Sequence, residues 1–244
     1  MDWFFSLFTT DNLNNYFDSI QVITLPQREQ YVKTIFKQMD IAYIQFNAIQ
    51  GTKLNIQDLI RNNILSKSNK LKHINEVACY MSHITLISNF YDNSIFDRST
   101  VFIFEDDILL DTNFLDKVKK VMDTVPSDWE FINFGRCWDN CKDTKKISDT
   151  VGVSDRALCA HSYAITKSGA RKILQNAYPI IDPVDVYYTK LAKNSSQLKF
   201  YSAIPRIFNQ MKSLNINKNT PVINKKSILT STLDNDDSCK ECMH

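Results

Sequence analysis

The sharpest switch from apolar to polar positions falls at T-V-F-I-F-E-D-D-I-L-L, residues 100–110. Val101, Phe102, Ile103 and Phe104 form a short unbroken apolar run, the pattern of a strand buried on both faces of a sheet covered by helices. Glu105, Asp106 and Asp107 follow at once. Three ionised groups cannot share that burial, so they belong at the strand's C-terminal rim, where open α/β sheets bind ligands. Side chains alternate along an extended chain, which sends Glu105 and Asp107 one way, roughly 7 Å apart, and Asp106 the other.

Strand and helix periods alternate around this stretch. Residues 19–25 read as a first strand, residues 28–39 repeat Tyr31, Val32, Ile35, Phe36 and Met39 at helical spacing, and residues 42–49 read as a second strand. The short crossover makes the two strands parallel neighbours. Residues 52–72 carry a brief helical pattern at Ile56, Leu59 and Ile60, then a polar Lys- and Asn-rich stretch that reads as a mobile connection. Residues 73–91 form the clearest helix, with Ile74, Val77, Ala78, Met81, Ile84 and Ile87 on one stripe and Glu76, Tyr80 and His83 opposite.

Beyond the acidic rim, Asp111 is placed to cap a helix that runs to Met122 and stops before Pro126. Residues 130–135 and 161–166 read as buried strands, and Ser168 as the cap of the helix after the second. The loop from Arg136, with its aromatic, thiols and mixed charge, suits acceptor contacts. Pro179 and Pro183 stiffen the approach to Asp185, and residues 200–208 read as an edge strand because Pro205 cannot donate to a ladder. From Lys212 the pattern fades into a polar tail. A folded domain over 1–212 and a partly ordered tail over 213–244 are expected.

A chain of 244 residues with 43% hydrophobic content can bury one α/β core. Its net charge of +2 gives no reason to expect nucleic acid or an anionic membrane as partner. With 4 glycines and no Gly-rich phosphate loop, any phosphate must be held by a metal or by side chains. The N-terminal stretch lacks a basic lead and a cleavage site, and no run approaches the length of a membrane span, so a cytoplasmic protein with reduced thiols is expected. Cys137, Cys141 and Cys159 could instead pair in an oxidising compartment, and Cys239, Cys242 and His244 form a weak partial zinc set. At neutral pH both Glu105 and Asp107 are charged, and a shared divalent cation relieves their repulsion most simply. Hard oxygen ligands favour Mg²⁺ or Mn²⁺.

Several local patterns together resemble glycosyltransferase family 25, which holds lipopolysaccharide glycosyltransferases and procollagen galactosyltransferases. They are V-I-T-L from Val22, F-N-A-I-Q-G ending at Gly51, E-V-A-C-Y-M-S-H from Glu76 and V-F-I-F-E-D-D from Val101. F-I-N-F-G from Phe131, H-S-Y-A-I-T-K-S-G-A from His161 and P-V-D from Pro183 complete the series. The resemblance implies a single GT-A-like (Rossmann-like) domain with a mostly parallel sheet covered by helices on both faces. It also implies a UDP-sugar donor and a divalent cation, Mn²⁺ or Mg²⁺, at Glu105 and Asp107.

On the same resemblance Asp106 lies beside the nucleotide, Thr24, Leu25 and Arg28 border the base and ribose, and Ala48, Ser82 and His83 belong to the donor side, with His161 as a further family match. Asp185 is the candidate base of an inverting transfer of a hexose to a hydroxyl of a glycan or of collagen-like hydroxylysine, with Asp182 the alternative. Two other readings stay open. Acids at a strand tip also serve a metal-dependent phosphoester hydrolase, and departures near Pro26 and Gly51 permit a catalytically inactive sugar-binding relative.

Overall fold

The computed structural model describes residues 12–109, 113–137, 144–154, 156–193 and 198–211. Along the chain these form β1 (Ser19–Thr24), α1 (Glu29–Gln38), β2 (Ile44–Asn47), α2 (Ile56–Arg61), α3 (Ile74–Asn93), β3 (Thr100–Glu105), β4 (Ile108–Leu109) and α4 (Phe114–Thr124). Then follow β5 (Phe131–Asn133), β6 (Lys145–Lys146), β7 (Val151–Val153), β8 (Ser162–Thr166), α5 (Lys167–Gln175), α6 (Val184–Lys193), β9 (Phe200–Ala203) and β10 (Asn209–Gln210). Eight strands join in the order β2-β1-β3-β8-β5-β9-β7-β6, and β10 pairs with β4 in a separate ribbon.

Strand β1 is parallel to β2 and β3, and β5 to β9, whereas β8 opposes β3 and β5, and β7 opposes β9 and β6. Six of the eight therefore run one way, with β8 and β7 reversed. The sheet is mostly parallel, as expected.

The apolar run behaves as its pattern predicts. Val101, Phe102, Ile103 and Phe104 are all completely buried. Alternation splits them between two cores: Val101 and Ile103 pack with residues of α3, α5 and α6, Phe102 and Phe104 with residues of α1 and α4. Helices thus cover both faces. On the first face Phe131, Tyr163 and Phe200 stack across three neighbouring strands. On the second, Phe208 abuts Phe102, Phe104 and Phe114 and brings the end of the described chain back over β3.

Several sequence expectations are corrected. Strand β9 is interior, between β5 and β7, and Pro205 lies beyond its last residue, so no ladder donor is missing. The stretch after α2 is tied down: Leu65 bridges Ile180, and the Ser66 and Lys70 N–H groups donate to the carbonyls of Ile180 and Ile181. Helix α3 is buried on more than its apolar stripe, since Tyr80 and His83 are also inside. Thr166, not Ser168, caps α5, its hydroxyl accepting the Gly169 N–H at 3.1 Å. Helix α4 starts after Asn113, while Asp111 lies outside the described residues.

Cys137 and Cys159 form a disulfide with Cα atoms 5.7 Å apart. This replaces the reduced-thiol expectation and removes one support for a cytoplasmic location, because disulfides persist in oxidising compartments. Cys141, the tail over 213–244 and its Cys239, Cys242 and His244 lie outside the described residues.

Candidate active site

The pleat that sorts β3 into two cores also sorts its acids. Glu105, in phase with Ile103, turns to α3, where His83 Nε2 lies 3.1 Å and Cys79 Sγ 3.6 Å from its Oε1. Asp106, in phase with Phe104, turns to the exit of β1. Its Oδ2 accepts the Leu25 N–H at 2.6 Å and its Oδ1 the Arg28 Nη1–H at 2.9 Å. Asp107 follows in the turn between β3 and β4, with Arg28 Nη1 3.7 Å from its Oδ2. Strand β10 then closes over this turn: Met211 N–H donates to the Asp107 carbonyl at 2.8 Å.

Sequence reasoning missed Gln210. Its amide Nε2 donates to Glu105 Oε2 at 3.0 Å and lies 3.5 Å from Asp107 Oδ1. The two carboxylates expected to address one point do so, and an electropositive N–H₂ group already lies within reach of both. Two aspects of the sequence hid this residue. It sits 105 positions after Glu105 in a two-residue strand, and an isolated Gln carries no motif.

Other expected residues lie deeper than foreseen. Thr24, Ser82 and His83 are 0%, 1% and 0% exposed. The side chains of Thr24 and Ser82 hold neighbouring backbone, and that of His83 lies between Tyr163 and Glu105. The Thr24 hydroxyl donates to Val22 O, and the Thr24 carbonyl accepts the Ala48 N–H. Ser82 Oγ accepts the Ile49 N–H at 2.9 Å and donates to Ala78 O, fixing the exit of β2 against α3. His83 Nδ1 meets the Tyr163 hydroxyl at 2.8 Å, which meets that of Tyr188 at 3.2 Å. This relay joins α6 to Glu105. His161 braces the other side, with Nε2 3.0 Å from Phe208 O and its own carbonyl accepting the Glu105 N–H.

Burial lifts the Asp106 carboxyl above the usual carboxylate range, against the pull of the Leu25 N–H and the Arg28 guanidinium, with the Glu105 charge adding to the rise. Burial likewise raises the Tyr163 phenol well beyond its ordinary value, so it remains protonated in the relay. Asp185 stands in the first turn of α6. Its Oδ2 accepts the Cys159 N–H at 3.1 Å and its Oδ1 the Val186 N–H at 2.8 Å. Cys159 holds a left-handed φ of 67°, so this carboxylate also steadies an unfavourable backbone conformation. Asp182 is bound to Lys190 and lies 3.6 Å from Lys70 Nζ, which makes it a clasp between α6 and the loop that carries Lys70.

The geometry defines an α/β protein with an acidic centre at the β1/β3 rim, where strand order reverses and where nucleotides bind in such sheets. The profile of glycosyltransferase family 25 (LPS biosynthesis protein) matches residues 17–188. The chain belongs to this family.

It is 25% identical over 173 residues to the human "Inactive glycosyltransferase 25 family member 3", covering 65% of this chain and 29% of that protein. It is 28% identical over 170 residues to the Haemophilus influenzae "Lipooligosaccharide biosynthesis protein lic2B", covering 63% of this chain and 60% of that one. The match thus spans less than a third of the human relative's length. Among the described residues no helix is long and apolar enough to cross a membrane.

Proposed function

We propose that this chain transfers a hexose, galactose or glucose, from a UDP-sugar to a hydroxyl of a glycan or of hydroxylysine in a collagen-like protein, using Mn²⁺ or Mg²⁺ at Glu105 and Asp107. The observation that carries this reading is the convergence of both carboxylates on Gln210 Nε2, at 3.0 and 3.5 Å. An all-oxygen carboxylate pair of that kind suits a hard divalent ion. When bound, such an ion neutralises the charge that develops on the departing diphosphate.

The remaining work falls to side chains. Asp106 clamps the end of β1 to the acidic turn, which sets Leu25 and Arg28 at the β1/β3 crevice. Arg28 is partly exposed and has donors beyond the one given to Asp106, available to a diphosphate oxygen. On the acceptor side Asp185 takes the hydroxyl proton as that oxygen attacks the anomeric carbon with inversion, a contribution of about 10² to 10⁴ in rate. Each of its oxygens keeps a further lone pair after receiving a main-chain N–H.

A second reading, a sugar-binding relative without activity, is favoured by the human relative, which is named an inactive family member. Gln210, which already engages both carboxylates, and Arg28, 3.7 Å from Asp107, are compatible with it. A panel of UDP-sugars with Mn²⁺, read by mass spectrometry with and without glycan and hydroxylysine-peptide acceptors, separates the two. Transfer that disappears in Asp107→Ala supports the first reading. Undiminished turnover in that variant removes the metal assignment, nucleotide release without acceptor indicates hydrolysis, and nucleotide binding without product indicates the inactive relative.

A further inference from the structure

We propose that Cys79, His83 and Glu105 form a second site, sharing Glu105 with the acidic rim, for a borderline divalent metal of the zinc class. The site is argued from its own ligands and does not rest on the transfer reading. Cys79 and His83 are one helical turn apart on α3 and so present their side chains to the same side. Both reach one carboxylate oxygen: Glu105 Oε1 lies 3.6 Å from Sγ and 3.1 Å from Nε2, and the three ligand atoms all fall within 4.8 Å of one another. Ligands bound to tetrahedral zinc at about 2.0–2.3 Å stand about 3.3–3.7 Å apart. Small side-chain shifts suffice to close the set around an ion.

The chemistry of the ligands selects the metal. A thiolate and an imidazole are poor partners for Mg²⁺ and good ones for Zn²⁺ or Co²⁺. Three protein ligands leave a fourth position for water or another donor. The histidine also has the outer support of a metal ligand, since its ring is fully buried and its Nδ1 meets the Tyr163 hydroxyl at 2.8 Å, backed by Tyr188.

Binding requires that Cys79 release its thiol proton to solvent. It also requires that His83 offer the Nε2 lone pair and carry its proton on Nδ1, facing an oxygen that can accept it. Glu105 connects this site with the acidic rim, because Oε1 faces the thiol and the imidazole while Oε2 faces Gln210.

Cobalt titration of the full chain, without reductant, tests the proposal. One equivalent of Co²⁺ is expected to produce a thiolate-to-cobalt charge-transfer band and visible bands of tetrahedral intensity. The bands should persist in Cys239→Ser/Cys242→Ser and vanish in Cys79→Ser, and Tyr163→Phe should weaken binding about 10- to 100-fold. Absence of the band in the unmodified chain, its loss with the tail cysteines or its survival in Cys79→Ser overturns the site. Should Cys79→Ser misfold, thiol alkylation of the unmodified chain decides. Protection of Cys79 by Co²⁺ supports the site, and equal labelling with and without the ion refutes it.

Discussion

Asp106→Asn sets two opposing effects against each other. The carboxylate receives two charge-assisted hydrogen bonds, from Leu25 N–H at 2.6 Å and Arg28 Nη1 at 2.9 Å. The first is worth about 1.5–3 kcal/mol, and the neutral Asn oxygen that replaces it keeps about 1 kcal/mol. The second is discounted to about 0.5–1 kcal/mol because the Arg28 side chain is 39% exposed, and an amide N–H₂ facing the guanidinium forfeits it. Against these losses stands relief from burying a charge, since the Asp106 side chain is only 8% exposed and burial already raises its pKa.

Burial outweighs the hydrogen bonds for the charge itself, but Asn sets an N–H₂ against the Arg28 guanidinium, and the exchange costs a net of about 1–2 kcal/mol at pH 7 and a fall in Tm of about 2–8 °C. The proton linkage gives a second signature. Because the folded pKa is raised, the contribution of Asp106 protonation to stability is fully present below the unfolded value near 3.9 and is lost as pH rises through the folded value. Asn cannot take up that proton, so the gap between Asp106→Asn and the unmodified chain should be wider in acid than at neutrality. Urea denaturation at both pH values measures this, and a variant equal or superior in stability at pH 7 would refute the clamp.

Three further outcomes follow from the same geometry. A methyl group at Gly135 would lie 2.2 Å from both His161 Nε2 and Ser162 Oγ, so Gly135→Ala should cost about 2–4 kcal/mol through overpacking and the strained His161–Phe208 bond, read by urea denaturation. Cys137→Ser opens a loop with a sequence separation of 22 and should cost about 3 kcal/mol on the chain-entropy estimate, read as a lower midpoint that reductant no longer shifts. Asp185→Asn should lower turnover about 10²- to 10⁴-fold while leaving nucleotide affinity unchanged. A matching loss of affinity would make Asp185 a brace for Cys159 alone.

How much of this was legible in the sequence depends on how local each cause is. The unbroken apolar run of β3, the strand-helix-strand unit at the N-terminus and the acidic rim were all readable, because burial and alternation act within a few residues. The split of Glu105 from Asp106 followed from the same pleat. Long-range pairings were not readable. Nothing local to residues 200–208 says that β9 lies between β5 and β7, and a two-residue strand such as β10 has too few positions to show a period. The buried polar face of α3 was misread for a related reason. Tyr80 and His83 look solvated by pattern, yet Tyr80 finds Ala177 O at 2.6 Å and His83 finds Tyr163 and Glu105. Those partners lie on other elements, and burial of polar groups is cheap only once they are in place. The family motifs pointed to Thr24 and Ser82 without distinguishing ligand contact from the positioning of neighbouring backbone.

Titration calorimetry of UDP with and without Mn²⁺, on the unmodified chain and on Asp107→Ala, tests the carboxylate pair most directly. UDP binding that depends on Mn²⁺ and collapses in Asp107→Ala is expected. UDP binding of equal strength without the metal, or in the variant, would contradict a nucleotide site built on Glu105 and Asp107.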